Sequence, residues 1–114
     1  PVWCTANGFE GYLHWSWMNW TDSPLSDTRF RLFAPGDTYL IYPGPRSSVR
    51  YERFIEGIAL AEKVRLLREE YQRTNNTAAL NQLNEMVSAF QPAGIPQGRT
   101  AAEMVNALQQ LVNK

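Results

Sequence analysis

A mixed α+β chain, mostly helical, is the fold class that the sequence predicts. Three observations predict it. A short β-branched and aromatic run over residues 39–42 is stopped by Pro43, Gly44 and Pro45, which supply fixed and permissive φ for a tight loop. Apolar residues then recur at three- and four-residue steps (Tyr51, Phe54, Ile55, Ile58, Ala61, Val64, Leu67, Tyr71), which predicts an amphipathic helix from about Val49 to Arg73. Two shorter apolar stripes follow, so the chain is aromatic and loop-rich before that helix and helical after it.

Residues 1–7 place Val2, Trp3 and Ala6 at helical steps and stop at Asn7-Gly8, as the tail of a helix would. Residues 11–17 alternate, with Tyr12, His14 and Ser16 on one face and Leu13, Trp15 and Trp17 on the other. Both faces are largely apolar or aromatic, which predicts a strand covered on both sides, as in a parallel barrel or sheet. Residues 19–35 carry Asp22-Ser-Pro24, Ser26-Asp27 and Ala34-Pro-Gly36, all turn chemistry, and read as a long loop. A loop of that size directly after a buried strand is where binding groups are expected. Ser48 sits where an N-cap oxygen would start the long helix. Asn75-Asn-Thr77 breaks the pattern, and Leu80, Leu83, Met86, Val87 and Phe90 form a second stripe before Pro92. Residues 91–98 read as a Pro/Gly linker. Thr100-Ala-Ala-Glu103 is a capping box that opens a third helix carrying Met104, Val105, Leu108, Leu111 and Val112.

A chain of 114 residues suits one domain, able to bury somewhat over ~60% of its unfolded surface. Lysine plus arginine equals aspartate plus glutamate, so no basic stripe is available to track phosphates, and nucleic acid is not expected as a partner. Cys4 is the only cysteine, which removes any internal disulfide and reads as a small buried hydrophobe. No apolar run approaches the ~18 residues of a membrane span, and no leader pattern opens the chain, so no membrane is expected as a partner. A start at Pro1 suits a processed product, a proteolytic fragment or a trimmed chain.

The strings Gly8-Phe-Glu-Gly-Tyr-Leu-His-Trp15, Asp27-Thr-Arg-Phe-Arg31, Gly36-Asp-Thr-Tyr-Leu-Ile-Tyr-Pro-Gly-Pro-Arg-Ser-Ser48 and Arg50-Tyr-Glu-Arg-Phe-Ile-Glu-Gly-Ile58 occur in this order. Over roughly residues 1–72 they resemble the carboxyl-terminal part of bacterial proteins of glycoside hydrolase family 123, a region also catalogued as domain of unknown function 4091. Four ordered strings are a more specific signal than one short motif. Ala61 departs from the pattern, since relatives usually carry an aromatic there. The resemblance implies the last strand, site-facing loop and last helix of a (β/α)8-type barrel, with two extra C-terminal helices, in a fragment of a larger protein. Residues 1–74 would hold the barrel-closing part and residues 75–114 a helical hairpin.

The resemblance also implies an exo-acting β-N-acetylgalactosaminidase, in which an adjacent Asp-Glu pair supplies a general acid and a carboxylate that orients the substrate's own acetamido group. This chain contains no Asp-Glu dipeptide, so no catalytic residue is assigned to it and the pair is expected upstream. Glu69-Glu70, the only adjacent acidic pair, lies among Arg65, Arg68 and Arg73 and reads as a solvated charged face. His14 has the right intrinsic pKa for acid-base work, but a single histidine reads as structural. Tyr12, Trp15, Trp17 and Trp20 are the best binding signal, since sugar C–H faces stack on flat rings, although alternating aromatics on a two-sided strand also make core. Asn19, Asp22, Asp27, Arg29 and Arg46 could fix hydroxyl or acetamide groups, or simply hold the loop. Arg50, Glu52, Arg53 and Glu56 read as ion pairs clamping the loop to the helix.

The expected substrate-binding set is Trp17, Asn19, Trp20, Asp27 and Arg46, with no cofactor and no metal. Expected partners are the upstream barrel of the same protein, an N-acetylhexosamine glycan and, through an unpaired strand edge, a second copy of the chain. Two alternatives remain at this point: a stand-alone carbohydrate-binding module on the tryptophans, or a helical interaction module on the stripes from Leu80 to Val112.

Overall fold

A computed structural model describes residues 1–44, 46–92 and 98–114, so most of the expected 91–98 linker lies outside the described residues. Its helices are α1 (Val2–Ala6), α2 (Val49–Arg73), α3 (Thr77–Ser88) and α4 (Ala101–Val112). Local chemistry explains each boundary. Gly8, at φ +74°, takes the left-handed turn that ends α1, and Phe9 N–H donates to Cys4 O at 2.9 Å. The Ser48 hydroxyl accepts from Tyr51 N–H at 3.1 Å and opens α2 as expected. Asn75, at φ 55°, reverses the chain, and Asn76 caps α3 by accepting from Ala79 N–H at 3.2 Å. Thr100 and Glu103 form the reciprocal capping box of α4.

The chain divides into two compact units, Pro1–Tyr12 with Gly57–Lys114, and Leu13–Glu56. The first is a helical unit around Val2, Ala6, Leu60, Val64, Leu83, Val87 and Leu108, with Leu67, Tyr71, Phe90 and Leu111 packed at its margin. Each fully buried aliphatic side chain there contributes about 1.5–3 kcal/mol. Helix α3 packs against both α1 and α4. Gly57 faces Pro1, whose Cδ would lie 3.0 Å from a Cβ at that position. Polar ties run across the same unit: Gln91 Nε2 donates to Ala6 O at 2.7 Å, and Arg68 Nε to Asn84 Oδ1 at 2.8 Å. The apolar stripes of α3 and α4 are therefore spent on this core, which removes the ground for an exposed helical interaction face. Cys4, expected to be buried, is only half-buried in the middle of α1.

The unit Leu13–Glu56 corrects the strand expectations. Among the described residues there is no strand, only isolated antiparallel bridges Met18↔Tyr39 and Tyr42↔Arg46. A strand needs a ladder partner along its length. Residues 11–17 have none here, because only Leu40 N–H to Trp17 O and Asn19 N–H to Thr38 O, each 3.1 Å, join the two runs. Nor are the side chains covered on both faces, since Leu13 is 93% and Trp15 52% exposed. This unit is organised instead around Tyr39 and Thr38, both fully buried. No described helix is long and apolar enough to cross a membrane.

Candidate functional site

The five expected contact residues hang from one run, residues 38–42, through its backbone and the Tyr39 hydroxyl. Trp17 passes its carbonyl to Leu40 N–H and sets its indole edge-on against Tyr51 and Phe54, with ring centres 5.6 and 6.1 Å away. Trp17 as a residue remains 43% exposed, so part of its surface is open to a ligand. Asn19 is pinned by its main chain, since its carbonyl accepts from Thr38 Oγ1 at 2.9 Å. Its side-chain amide makes no hydrogen bond among the described residues. The Trp20 indole donates to Ile41 O at 2.9 Å, which fixes the orientation of the ring, and the residue is 38% exposed.

Asp27 plays two parts. Its carbonyl accepts from Thr21 Oγ1 at 2.6 Å and from the Tyr39 hydroxyl at 3.3 Å. Its carboxylate receives Arg29 Nε and Arg29 N–H, both at 3.0 Å. The hydrogen bond from the guanidinium, helped by that from the amide, holds the Asp27 carboxyl below its ordinary pKa, and the pairing raises that of Arg29. Asp27 is therefore an ionised acceptor already engaged by a neighbour. Arg46 pairs through its backbone with Tyr42, Tyr42 N–H donating to its carbonyl at 2.8 Å. Its guanidinium is exposed and has no partner among the described residues, so it is available to a hydroxyl, carbonyl or carboxylate.

The loop clamp exists in a different form from the one expected. Arg50 Nη2 donates to the Pro35 carbonyl at 3.3 Å, and its guanidinium lies over Gly36, whose φ of +82° suits glycine. Glu52 accepts from the Ser47 hydroxyl. Only Arg53 and Glu56 form an ion pair, at 2.7 Å along one exposed face of α2, so the loop is held by a backbone carbonyl and a hydroxyl rather than by charge pairing.

His14 and Trp15 converge on Asp37, a residue that sequence reasoning did not single out. His14 Nε2 meets the Asp37 carbonyl at 2.8 Å, which commits that nitrogen to a backbone acceptor. The acidic pair on α2 behaves as a solvated face: Glu69 pairs with Arg65, and Glu70 with Arg73 at 2.7 Å. An open depression of about 400 Å³ beside them is lined by Leu66, Leu67, Glu69, Glu70 and Arg73, so both of its carboxylates are already ion-paired. Among the described residues no three histidine, cysteine, aspartate or glutamate side chains converge as metal ligands would.

The model of the glycoside hydrolase 123 catalytic domain matches residues 1–67 of this chain. The chain belongs to glycoside hydrolase family 123. No curated protein matches it. The family 123 match takes in α1, the whole Leu13–Glu56 unit with its tryptophans, and α2 as far as Leu67. All five contact residues fall within it, while α3 and α4 lie outside.

Proposed function

We propose that this family 123 chain is the carboxyl-terminal part of a bacterial exo-β-N-acetylgalactosaminidase, and that it closes the catalytic barrel and contacts substrate while the catalytic carboxylates come from upstream residues. In this reading residues 1–74 supply the last strand, loop and helix of a (β/α)8-type barrel, and residues 75–114 a helical hairpin. The observation that carries it is the run from residue 11 to 20. Over residues 11–17 the apolar and aromatic side chains alternate as in a strand buried on both faces, yet Leu13 and, just beyond, Met18 are exposed here. An upstream barrel would supply both the missing ladder partners and the missing cover.

The absence of an Asp-Glu dipeptide fits the same division of labour. Substrate-assisted hydrolysis needs a general acid within reach of the leaving oxygen and a second carboxylate on the acetamide nitrogen. Here Asp27, Glu69 and Glu70 are engaged by Arg29, Arg65 and Arg73. What the chain offers instead is two oriented indoles, at Trp17 and Trp20, and, at Asn19 and Arg46, an amide and a guanidinium that have no partner among the described residues. Those are groups for stacking on a sugar and fixing its acetamido and hydroxyl oxygens. Partial exposure of the two indoles also favours a second reading, a carbohydrate-binding surface that works without an upstream barrel.

Trp17→Ala in the full-length protein separates the possibilities. Loss of one aromatic contact, about 0.5–1.5 kcal/mol, lowers kcat/KM on aryl β-N-acetylgalactosaminides by roughly two- to tenfold if the ring meets substrate. The melting temperature should move less than activity does. A variant that unfolds, or that keeps full activity, returns Trp17 to a purely structural role.

A further inference from the structure

We infer that Trp15 and Asp37 form a further carbohydrate-contacting pair, in which the indole stacks on a neutral sugar and the carboxylate accepts hydroxyl hydrogens at its rim. The ligand class rests on the carbohydrate reading above, but the residues and geometry are separate. Trp15 Nε1 donates to Asp37 Oδ2 at 3.0 Å. The other carboxylate oxygen has no partner among the described residues. The Asp37 main chain is held as well, its carbonyl by His14 Nε2 at 2.8 Å and its N–H by donation to Ala34 O at 3.0 Å. Both the position of Asp37 and the direction of its carboxylate are thus set before any ligand arrives.

The ring is held with equal care. Phe33 packs against the Trp15 indole at a centroid distance of 4.7 Å and Phe30 at 6.4 Å, yet half of the residue stays exposed. An acceptor on an indole N–H lies near the plane of the ring, at its edge. A sugar stacked on the indole face therefore presents its equatorial hydroxyls to that carboxylate. An ionised carboxylate is acceptor-only, so it suits hydroxyl and amide hydrogens and repels a carboxylated sugar. The pair accordingly selects a neutral hexose or N-acetylhexosamine over a uronic acid.

The test uses the 114-residue chain with its four tryptophans replaced by 5-fluorotryptophan, and Trp15→Phe identifies the Trp15 resonance by its loss. N-acetylgalactosamine, galactose and galacturonic acid are titrated in turn, and affinity is read from saturation transfer to sugar protons. The Trp15 resonance should move with the two neutral sugars and not with galacturonic acid. Asp37→Asn should weaken neutral-sugar binding about tenfold, the scale of one hydrogen bond to a charged group. Where Asp37→Asn disturbs the other three resonances, Trp15→Phe decides: it keeps a ring but removes the N–H that aims the carboxylate, and must cost a similar factor. A Trp15 resonance that stays still in every neutral sugar, or affinity unchanged in the deciding variant, overturns the pair. Movement of Trp17 or Trp20 without Trp15 overturns it alone. Movement of Trp15 in a full-length protein that releases no N-acetylgalactosamine upholds the pair and defeats the proposed enzyme.

Discussion

Tyr39→Phe is the substitution that most sharply tests how the candidate site is held. The Tyr39 side chain is fully buried, and its hydroxyl accepts from Thr21 N–H at 2.8 Å. It also donates to the Asp27 carbonyl at 3.3 Å. Phenylalanine keeps the ring and its packing on Tyr42, 5.2 Å between centroids, so no cavity opens. The Asp27 carbonyl keeps its other donor, Thr21 Oγ1 at 2.6 Å. Only the Thr21 N–H loses its acceptor. An unsatisfied buried donor costs about 1–3 kcal/mol, and since Thr21 is half-buried the lower part of that range applies. At about 1.4 kcal/mol per factor of ten, the Thr21 amide should exchange with solvent at least about fivefold faster, while amides inside α3 and α4 keep their rates. Unchanged exchange at Thr21 would refute the claim that this hydroxyl ties residues 19–27 to the 38–42 run.

Other perturbations have equally definite outcomes. Arg50→Ala removes one exposed guanidinium bond to Pro35 O and the cover over Gly36; it should cost less than about 1 kcal/mol globally but raise hydrogen exchange across residues 27–48 several-fold. In the capping box, the backbone hydrogen bond from Thr100, then that from its side chain, lowers the Glu103 pKa. A depressed folded pKa means stability that is present above the unfolded value of about 4.3 and lost as pH falls through the folded one, so the protection factor of the Thr100 amide should drop between about pH 5 and pH 3. Glu103→Gln keeps a capping partner without the charge, and should remove that pH dependence. Leu108→Ala empties a fully buried position and should cost about 2–5 kcal/mol, read as a lower midpoint for loss of helical circular dichroism.

Helices were legible because their determinants are local. The apolar stripe of α2, the Ser48 hydroxyl at its start and the Thr100-Glu103 box of α4 each lie within a few residues of the bonds they make. Residues 39–42 show the opposite case. Their β-branched and aromatic character predicts a strand, but strand formation depends on a partner, and here the run serves as a post to which Trp17 and Trp20 are tied. Tyr39 became the centre of the loop unit through bonds to residues 18 and 12 positions away, which no local pattern announces. Asp37 escaped notice for the same reason, its indole partner lying 22 residues earlier. Arg50 was recognised as a clamp from its place at the head of α2, while the acceptor, a backbone carbonyl at Pro35, could not be read from residue types. Trp15, which the alternation places in the core, is half exposed because nothing among the described residues covers that face of the run.

The division of labour between this chain and the residues proposed to precede it is tested most directly by turnover. Residues 1–114 alone and the full-length protein should be assayed side by side for release of N-acetylgalactosamine from an aryl β-N-acetylgalactosaminide. The account predicts release by the full-length protein and none by residues 1–114, whose carboxylates are scattered and, at Asp27, Glu69 and Glu70, already paired with arginines. Turnover by residues 1–114 alone would contradict it.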